Sequence, residues 1–313
     1  MFYLGLDTSF YTTSLAAVDE EGRVCLDQRR VLPVERGKRG LRPRDAVFLH
    51  VQSLGAMSEE LRGLAGTCGG VAASARPRAA GGSYLPVFRV SEAWGKALAA
   101  SWRVPFFAFS HQDGHIAAGL HSSGFDPGSR PFLAAHLSGG TTEVLQVTPS
   151  EEGFGERVLA STADLHAGQF VDRVGVALGL PFPAGKAMEE LAATGRPGGC
   201  RLPASTSGTR FSFSGPEAAA LRLVQAGCPP ADIARAVFET IAVMLHKVVT
   251  ICVHEAGVND ILMVGGVTAN RELRELLGEG RPGYRLWWTE PAYCTDNGVG
   301  VALLARGYRK VGG

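Results

Sequence analysis

Residues 4–18 and 133–147 align without a gap. Leu4 meets Leu133, Ser9 meets Ser138, Thr12-Thr13 meets Thr141-Thr142 and Val18 meets Val147. Each stretch predicts a strand, a small polar turn and a second strand. Each is followed by another turn, Asp19-Glu20-Glu21-Gly22 in one and Pro149 to Gly153 in the other, and then by a third strand at 23–31 or 157–161. An internal repeat of this kind restricts the chain to two related lobes, each opening on antiparallel strands. Facing one another, two such turns suit a phosphate chain, because small residues expose backbone N–H groups and hydroxyls add donors. Two ordinary hairpins of one mixed sheet would give the same pattern.

Helical sequence follows each hairpin. In the first half, apolar spacing predicts helices over 46–64 and 91–102, with strands at 70–75 and 104–109. In the second half, helices are expected over 167–179, 186–194, 217–226 and 231–256, the last long and free of Gly and Pro. A strand at 260–264, a helix at 270–277, a strand at 284–288 and a helix at 298–309 complete the chain. Two β-β-β-α-β-α units with a cleft between them match the actin, sugar-kinase and Hsp70 (ASKHA) architecture, an α/β fold of two duplicated domains. The expected division is 1–128 and 129–313, with the last helix able to pack back on the first lobe.

Charge removes one class of function. Lys and Arg total 31 against 30 Asp and Glu, so a strongly basic nucleic-acid binder is excluded while a local basic patch is not. Such a patch is offered by Arg29, Arg30, Arg36, Lys38, Arg39, Arg42 and Arg44 against the single acid Glu35, with Arg76 and Arg78 as an extension. No uninterrupted apolar run long enough for a membrane span and no signal peptide are read, and the six scattered cysteines form no C-x-x-C pair. A cytoplasmic protein with reduced thiols is the expectation.

His111 and His115, four apart, would lie on one helix face and could share a metal. The plainer reading is a helix N-terminus capped by Ser110 with Asp113 in the first turn. Gly114 weakens such a helix by about 1 kcal/mol relative to alanine, which makes sense only where backbones crowd. H-x-x-x-H without Glu in second place lacks the base of a zinc peptidase. Asp296 is the candidate third ligand, with helix capping as its alternative. Two histidines and a carboxylate suit iron or zinc. Ser138-Gly139-Gly140 would admit phosphate oxygens. Gly265-Gly266, ending a strand before a helix, would let adenine lie on the backbone near Asn270, which could equally be a cap. Asp172 or Glu189 could accept from ribose hydroxyls, or be solvated helix charges. No side-chain nucleophile stands out, so the catalytic residues stay unassigned.

These residues, in this order, resemble the TsaD (YgjD-like) family, the tRNA threonylcarbamoyladenosine synthase subunit once labelled a glycoprotease. The matching stretches are Val104 to His111 with His115, the Ser-Gly-Gly turn, Phe211-Ser212-Phe213-Ser214-Gly215, Gly265 to Arg271, and Thr295-Asp296-Asn297-Gly298. The resemblance implies an ASKHA fold and transfer of a threonylcarbamoyl group from its adenylate to N6 of the tRNA adenosine beside the anticodon. It implies that His111, His115 and Asp296 hold one divalent metal, Fe or Zn, with Mg possible alongside nucleotide. It implies that Asp7, His136, Leu137, Ser138, Gly139, Gly140, Asp172, Gly185, Glu189, Gly265, Gly266 and Asn270 line ATP or the adenylate. Implied partners are tRNA, a TsaB-like paralogous subunit and a small ATPase, with no membrane.

The chain also departs from the family pattern. Phe10-Tyr11 stands where an acid or histidine is usual, Asp7 where Glu is frequent, Thr141 where His follows the glycines, and Pro216-Glu217 where Leu-Lys is expected. Arg76 to Gly82 replaces a Gly-Pro-Gly-Leu turn, and Ala184 replaces a glycine. These changes point to a divergent paralogue. The alternative function is therefore a weakened, nucleotide-binding scaffold or regulator. A small-molecule kinase on the same fold is a third reading, with Asp172 as its only evident catalytic acid.

Overall fold

The computed structural model describes residues 1–9, 11–34, 40–79, 82–151, 153–278 and 280–311. In the first lobe β1 (Phe2–Thr8) turns back as β2 (Thr12–Asp19) and β3 (Val24–Val31). Then come α1 (Pro43–Met57), β4 (Cys68–Arg76), α2 (Phe88–Trp102), β5 (Phe106–Ser110) and α3 (His111–Ser123). The second lobe repeats the opening with β6 (Phe132–Leu137), β7 (Thr142–Ser150) and β8 (Gly153–Thr162). It inserts α4 (Ala167–Ala177), α5 (Gly185–Ala192), the short β9 (Thr206–Ser207) and β10 (Arg210–Phe211), α6 (Ser214–Gln225) and α7 (Pro230–Ala256). It closes with β11 (Asp260–Val264), α8 (Arg271–Leu277), β12 (Gly280–Arg281), β13 (Tyr284–Trp288), α9 (Pro291–Cys294) and α10 (Val299–Val311).

The sheet orders are β3-β2-β1-β4-β5 and β12-β13-β11-β6-β7-β8-β10-β9. Stripped of its outer strands, the second sheet has the order of the first. The duplication holds to the residue: Gly5 opposes Ala16 and Thr8 opposes Thr13, while Ala134 opposes Leu145 and Leu137 opposes Thr142. Both turns are therefore four residues long.

Most expected boundaries shift by one to three residues, and two move further. β8 begins at Gly153 rather than Arg157, because Ser150 already pairs with Gly153, whose φ of 111° accommodates a tight reversal. The helix expected over 46–64 starts at Pro43, a residue preorganised for a first turn, and ends at Met57 in a 3-10 stretch, Ser58–Gly63.

The second lobe carries the larger core, with α4, α6 and α7 packed around Phe170, Phe211, Phe213 and Phe238. Each such buried side chain contributes about 1.5–3 kcal/mol. By length and composition α7 would pass as a membrane span, a point the reading for uninterrupted apolar runs missed; 61% of its most apolar window is buried within the lobe, as befits a core helix.

The last helix of each lobe crosses to the other. Ile116 of α3 packs with Phe132, Ala134 and Leu262 of the second sheet. Val301, Ala302 and Ala305 of α10 pack with Tyr3, Ala16 and Ala72 of the first. Where the two helices meet, a Cβ on Gly300 would lie 1.8 Å from the Gly114 carbonyl oxygen. That contact demands the glycine of α10; a Cβ on Gly114 inside α3 would meet Val301 Cγ1 at 3.3 Å, a milder crowding at the same crossing.

Candidate metal and nucleotide site

The N-terminus of α3 emerges directly from the last residue of β5, at the junction of the lobes. Ser110 Oγ accepts from the Asp113 N–H at 2.9 Å, and Asp113 Oδ2 accepts from the Ser110 N–H at 2.8 Å. This capping box fixes the first turn. Capping and metal-type geometry thus coexist, because they use different side chains. The Nε2 atoms of His111 and His115 lie 3.2 Å apart. Asp296 Oδ1 is 3.4 Å from the first and 3.3 Å from the second.

Asp296 does not cap α10. Asn297 Oδ1 accepts from the Gly300 N–H at 3.2 Å, which leaves the aspartate to the histidines. Ser9 Oγ donates to Asp296 Oδ2 at 2.6 Å, and Arg29 Nη1 donates to the Ala292 carbonyl at 2.6 Å and to Thr295 Oγ1 at 3.1 Å. Arg29 therefore clamps the loop that presents Asp296 and is not a free phosphate ligand.

Asp7 is buried behind His111. Its Oδ2 takes His111 Nδ1 at 2.6 Å and the Ser74 hydroxyl, and its Oδ1 accepts from the Ser9 N–H at 2.9 Å. Burial would lower the His111 pKa, but the charges of Asp7 and Asp296 outweigh it and lift it to about 10. For Asp296 burial works upward, and the bonds to both histidines overcome it, holding the carboxylate well below its usual range. His115 is lowered chiefly by burial. His136 is driven well down by burial and then by the neighbouring imidazoles.

The donor set fits a divalent ion. Two imidazole nitrogens and one carboxylate oxygen lie within 4.8 Å of one another, and a carboxylate orients the far nitrogen of His111, the usual outer-shell arrangement.

The remaining candidates divide. Asp7 joins the histidines and is buried. His136 packs against His115 with the rings tilted and their centroids 4.8 Å apart, and Gln112 Nε2 lies 3.4 Å from its Nδ1. Gln112 reaches on to Glu143 at 3.3 Å, which pairs with Arg78 at 3.0 Å. Leu137 is buried core. Ser138 Oγ accepts from the Gly140 and Thr141 N–H groups at 3.3 and 3.0 Å, so the turn satisfies part of its own donor set. Gly139 and Gly140 have open space where a Cβ would point, as does Gly185.

Gly139, Gln169, Asp172, Arg173, Val176, Phe182 and Tyr11 line a pocket of about 110 Å³. Tyr11, from the first lobe, meets Phe182 edge-on at 5.5 Å. Asp172 Oδ1 accepts from the Ala184 N–H at 2.7 Å, and burial raises its pKa. Glu189 accepts from the Arg271 N–H at 3.1 Å.

At Asn270 the capping geometry is present: its Oδ1 accepts from the Leu273 N–H at 2.9 Å. Gly265, at φ 96°, lies so close to the end of β6 that a Cβ would be 2.4 Å from the Leu137 carbonyl oxygen; Gly266 is open.

Sequence reasoning overlooked Asp164. It receives the Ser212 hydroxyl at 2.7 Å, the Phe213 N–H at 2.8 Å and the Ser214 hydroxyl. The Phe-Ser-Phe-Ser-Gly motif thus pins α6 to the turn entering α4, and its phenylalanines fill the core. Phe10, the centre of the basic stretch at 35–39 (Arg36, Lys38 and Arg39 with Glu35) and positions 80–81 fall outside the described residues. Of the rest of the basic stretch, Arg44 is exposed beside Asp45 at 3.3 Å.

Comparison with known proteins decides the family. Residues 30–303 match the family model of TsaD, tRNA N6-adenosine threonylcarbamoyltransferase. The chain belongs to the TsaD family. Curated tRNA N6-adenosine threonylcarbamoyltransferases from Prochlorococcus marinus strains MIT 9303 and MIT 9313 are each 36% identical, over 97% of this chain and 90% of theirs. Among solved structures, the Acidaminococcus fermentans (R)-2-hydroxyglutaryl-CoA dehydratase component A aligns with a TM-score of 0.56 at 17% identity, over all of both chains. A ROK family glucokinase from Streptomyces griseus aligns with 0.51 at 15%, over 98% of this chain and 99% of that one. These neighbours establish the ASKHA fold for this TsaD member.

Proposed function

We propose that this TsaD-family enzyme transfers a threonylcarbamoyl group from its adenylate to N6 of the tRNA adenosine next to the anticodon, with one divalent metal, Fe or Zn, held by His111, His115 and Asp296. The observation that carries the reading is the convergence of those three side chains, from both ends of the chain, at the lobe junction. In the reaction the N6 nitrogen attacks the carbamoyl carbon, a C–N bond forms, the bond from that carbon to the phosphate oxygen breaks, AMP leaves with the electron pair, and one N6 proton passes to solvent. When bound, the ion would supply Lewis-acid stabilisation of the charge that develops.

The chain's own residues do the positioning. Asp7 holds His111 in the tautomer that directs Nε2 outward, and Ser9 and Arg29 hold Asp296. The open faces of Gly139 and Gly140 suit the approach of a phosphate, and Asp172 suits a ribose hydroxyl. Exact placement matters because an exocyclic amine is a poor nucleophile. A cytoplasmic location and assembly with a TsaB-like subunit and a small ATPase belong to the same reading.

Full-length protein loaded with Fe(II) or Zn(II) is mixed with threonylcarbamoyl-adenylate and unmodified tRNA, with the paralogous subunits present, and the nucleosides are measured by mass spectrometry. Modified adenosine that disappears on chelation is the expected result. Tight nucleotide binding with no turnover under any metal would sink the transferase reading and leave the scaffold, which the small pocket closed by Tyr11 and Phe182 favours.

A further inference from the structure

A second cavity lies away from the nucleotide pocket, on the far side of the α3 N-terminus. It has a volume of about 470 Å³, within the range of real ligand sites. One wall is β5, which pairs only with β4 among the described residues and so presents open main-chain donors and acceptors. The opposite wall is the β7–β8 hairpin, through Ser150, Phe154 and Gly155. Phe107 and Tyr308 form a half-exposed aromatic platform, with ring centroids 5.2 Å apart.

Arg76 stands at the rim, and among the described residues no carboxylate lies within ion-pair distance of its guanidinium. Asp113 lines the floor; it is buried, and its Oδ1 has no hydrogen-bond partner among the described residues. Two half-exposed aromatic rings tilted 46° to one another, a guanidinium outside any ion pair among the described residues and a buried unpartnered acceptor are parts that seat an unstacked nucleobase and its phosphate.

We propose that this groove binds an unpaired nucleotide of the RNA acceptor, with the base stacked on Phe107 and flanked by the tilted Tyr308 ring, its N–H edge toward Asp113, and its phosphate on Arg76. The inference rests on the reading that the acceptor is tRNA. His111 and Asp113 are on opposite sides of the same helical turn, so the base seated here is a docking base and not the one that reacts. A free mononucleotide carries the same chemistry, and the experiment separates the two sources.

Anticodon stem-loop RNA carrying 4-thiouridine at single loop positions is crosslinked to the full-length, metal-loaded protein, and the peptides are mapped. The expected crosslinks fall on residues 106–109 or 308, and excess AMP or GMP does not compete them away. Arg76→Ala should weaken stem-loop binding about tenfold and reduce the salt slope by about one. Ala108→Glu, at an exposed position that folding tolerates, should weaken it at least as much. Crosslinks confined elsewhere overturn the proposal. So do wild-type affinity in both variants, and mononucleotide binding in the groove without RNA. If the groove crosslinks form but no adenosine is modified, the transferase reading fails while this one stands. If modification proceeds at the wild-type rate in both variants, the reverse holds.

Discussion

The two hairpins β1–β2 and β6–β7 share a register and do different work. Position for position, Asp7 corresponds to His136 and Ser9 to Ser138. Asp7 and His136 both face the histidine pair of α3, one bonded to His111 and the other packed against His115. Ser9 reaches across to Asp296, whereas Ser138 folds back on its own turn. Duplication delivered two equivalent turns to one junction. In this chain the first hairpin braces His111 and Asp296, while the second turn folds on itself beside the pocket that Gly139, Tyr11 and Phe182 line.

The largest test of this asymmetry is steric. Gly5 has Ala134 as its counterpart, and a Cβ on Gly5 would lie 2.1 Å from the Gly298 carbonyl oxygen. Gly5→Ala should cost about 3 kcal/mol or more in denaturant unfolding, against about 1 kcal/mol for Ala134→Gly. Equal effects would mean that the crossing of α10 over the first sheet is not the tighter of the two.

Next comes the outer shell. Asp7→Asn should weaken metal affinity about 10–100-fold, read by competition with a chromophoric chelator. His136→Gln, at the equivalent position, should change it less than about threefold. A large loss in His136→Gln would bring both hairpins into the ion site. Ser9→Ala should raise the metal Kd about three- to tenfold through loss of one bond to Asp296. Ser138→Ala should leave it unchanged and lower stability by about 1 kcal/mol.

The smallest effect concerns pH and a second-lobe carboxylate that faces the first lobe. Glu156 is raised to about 8 by burial, with Asp113 and Glu143 adding to it. Its unfolded form ionises near pH 4.5, so wild-type stability is undiminished below that value and falls as pH rises toward 8. Glu156→Gln should therefore gain in melting temperature relative to wild type across that window and no further above it. A constant difference from pH 5 to 8 would show that Glu156 is solvated.

The lobes were legible because hairpin chemistry is local: alternating apolar residues and small polar turns sit within a few residues of one another. Gly114 was legible as a crowded site because a helix glycine has a known local cost. Asp296 was ambiguous, since a carboxylate before a helix caps as readily as it ligates, and only Asn297 taking the cap freed it. Asn270 resolved the other way. Arg29 read as part of a basic patch, yet folding put β3 beside the Asp296 loop and used its charge internally. Asp164 and the aromatic groove gave no signal at all, because their partners lie far away in sequence.

The sequence by itself determined the duplicated strands, the helices with strong periodicity, and the family through ordered motifs. Tertiary structure alone decided which carboxylate meets which imidazole and where a cavity opens. Those outcomes depend on contacts over hundreds of residues, and a side chain's identity states what it can bond to without stating what folding will place beside it.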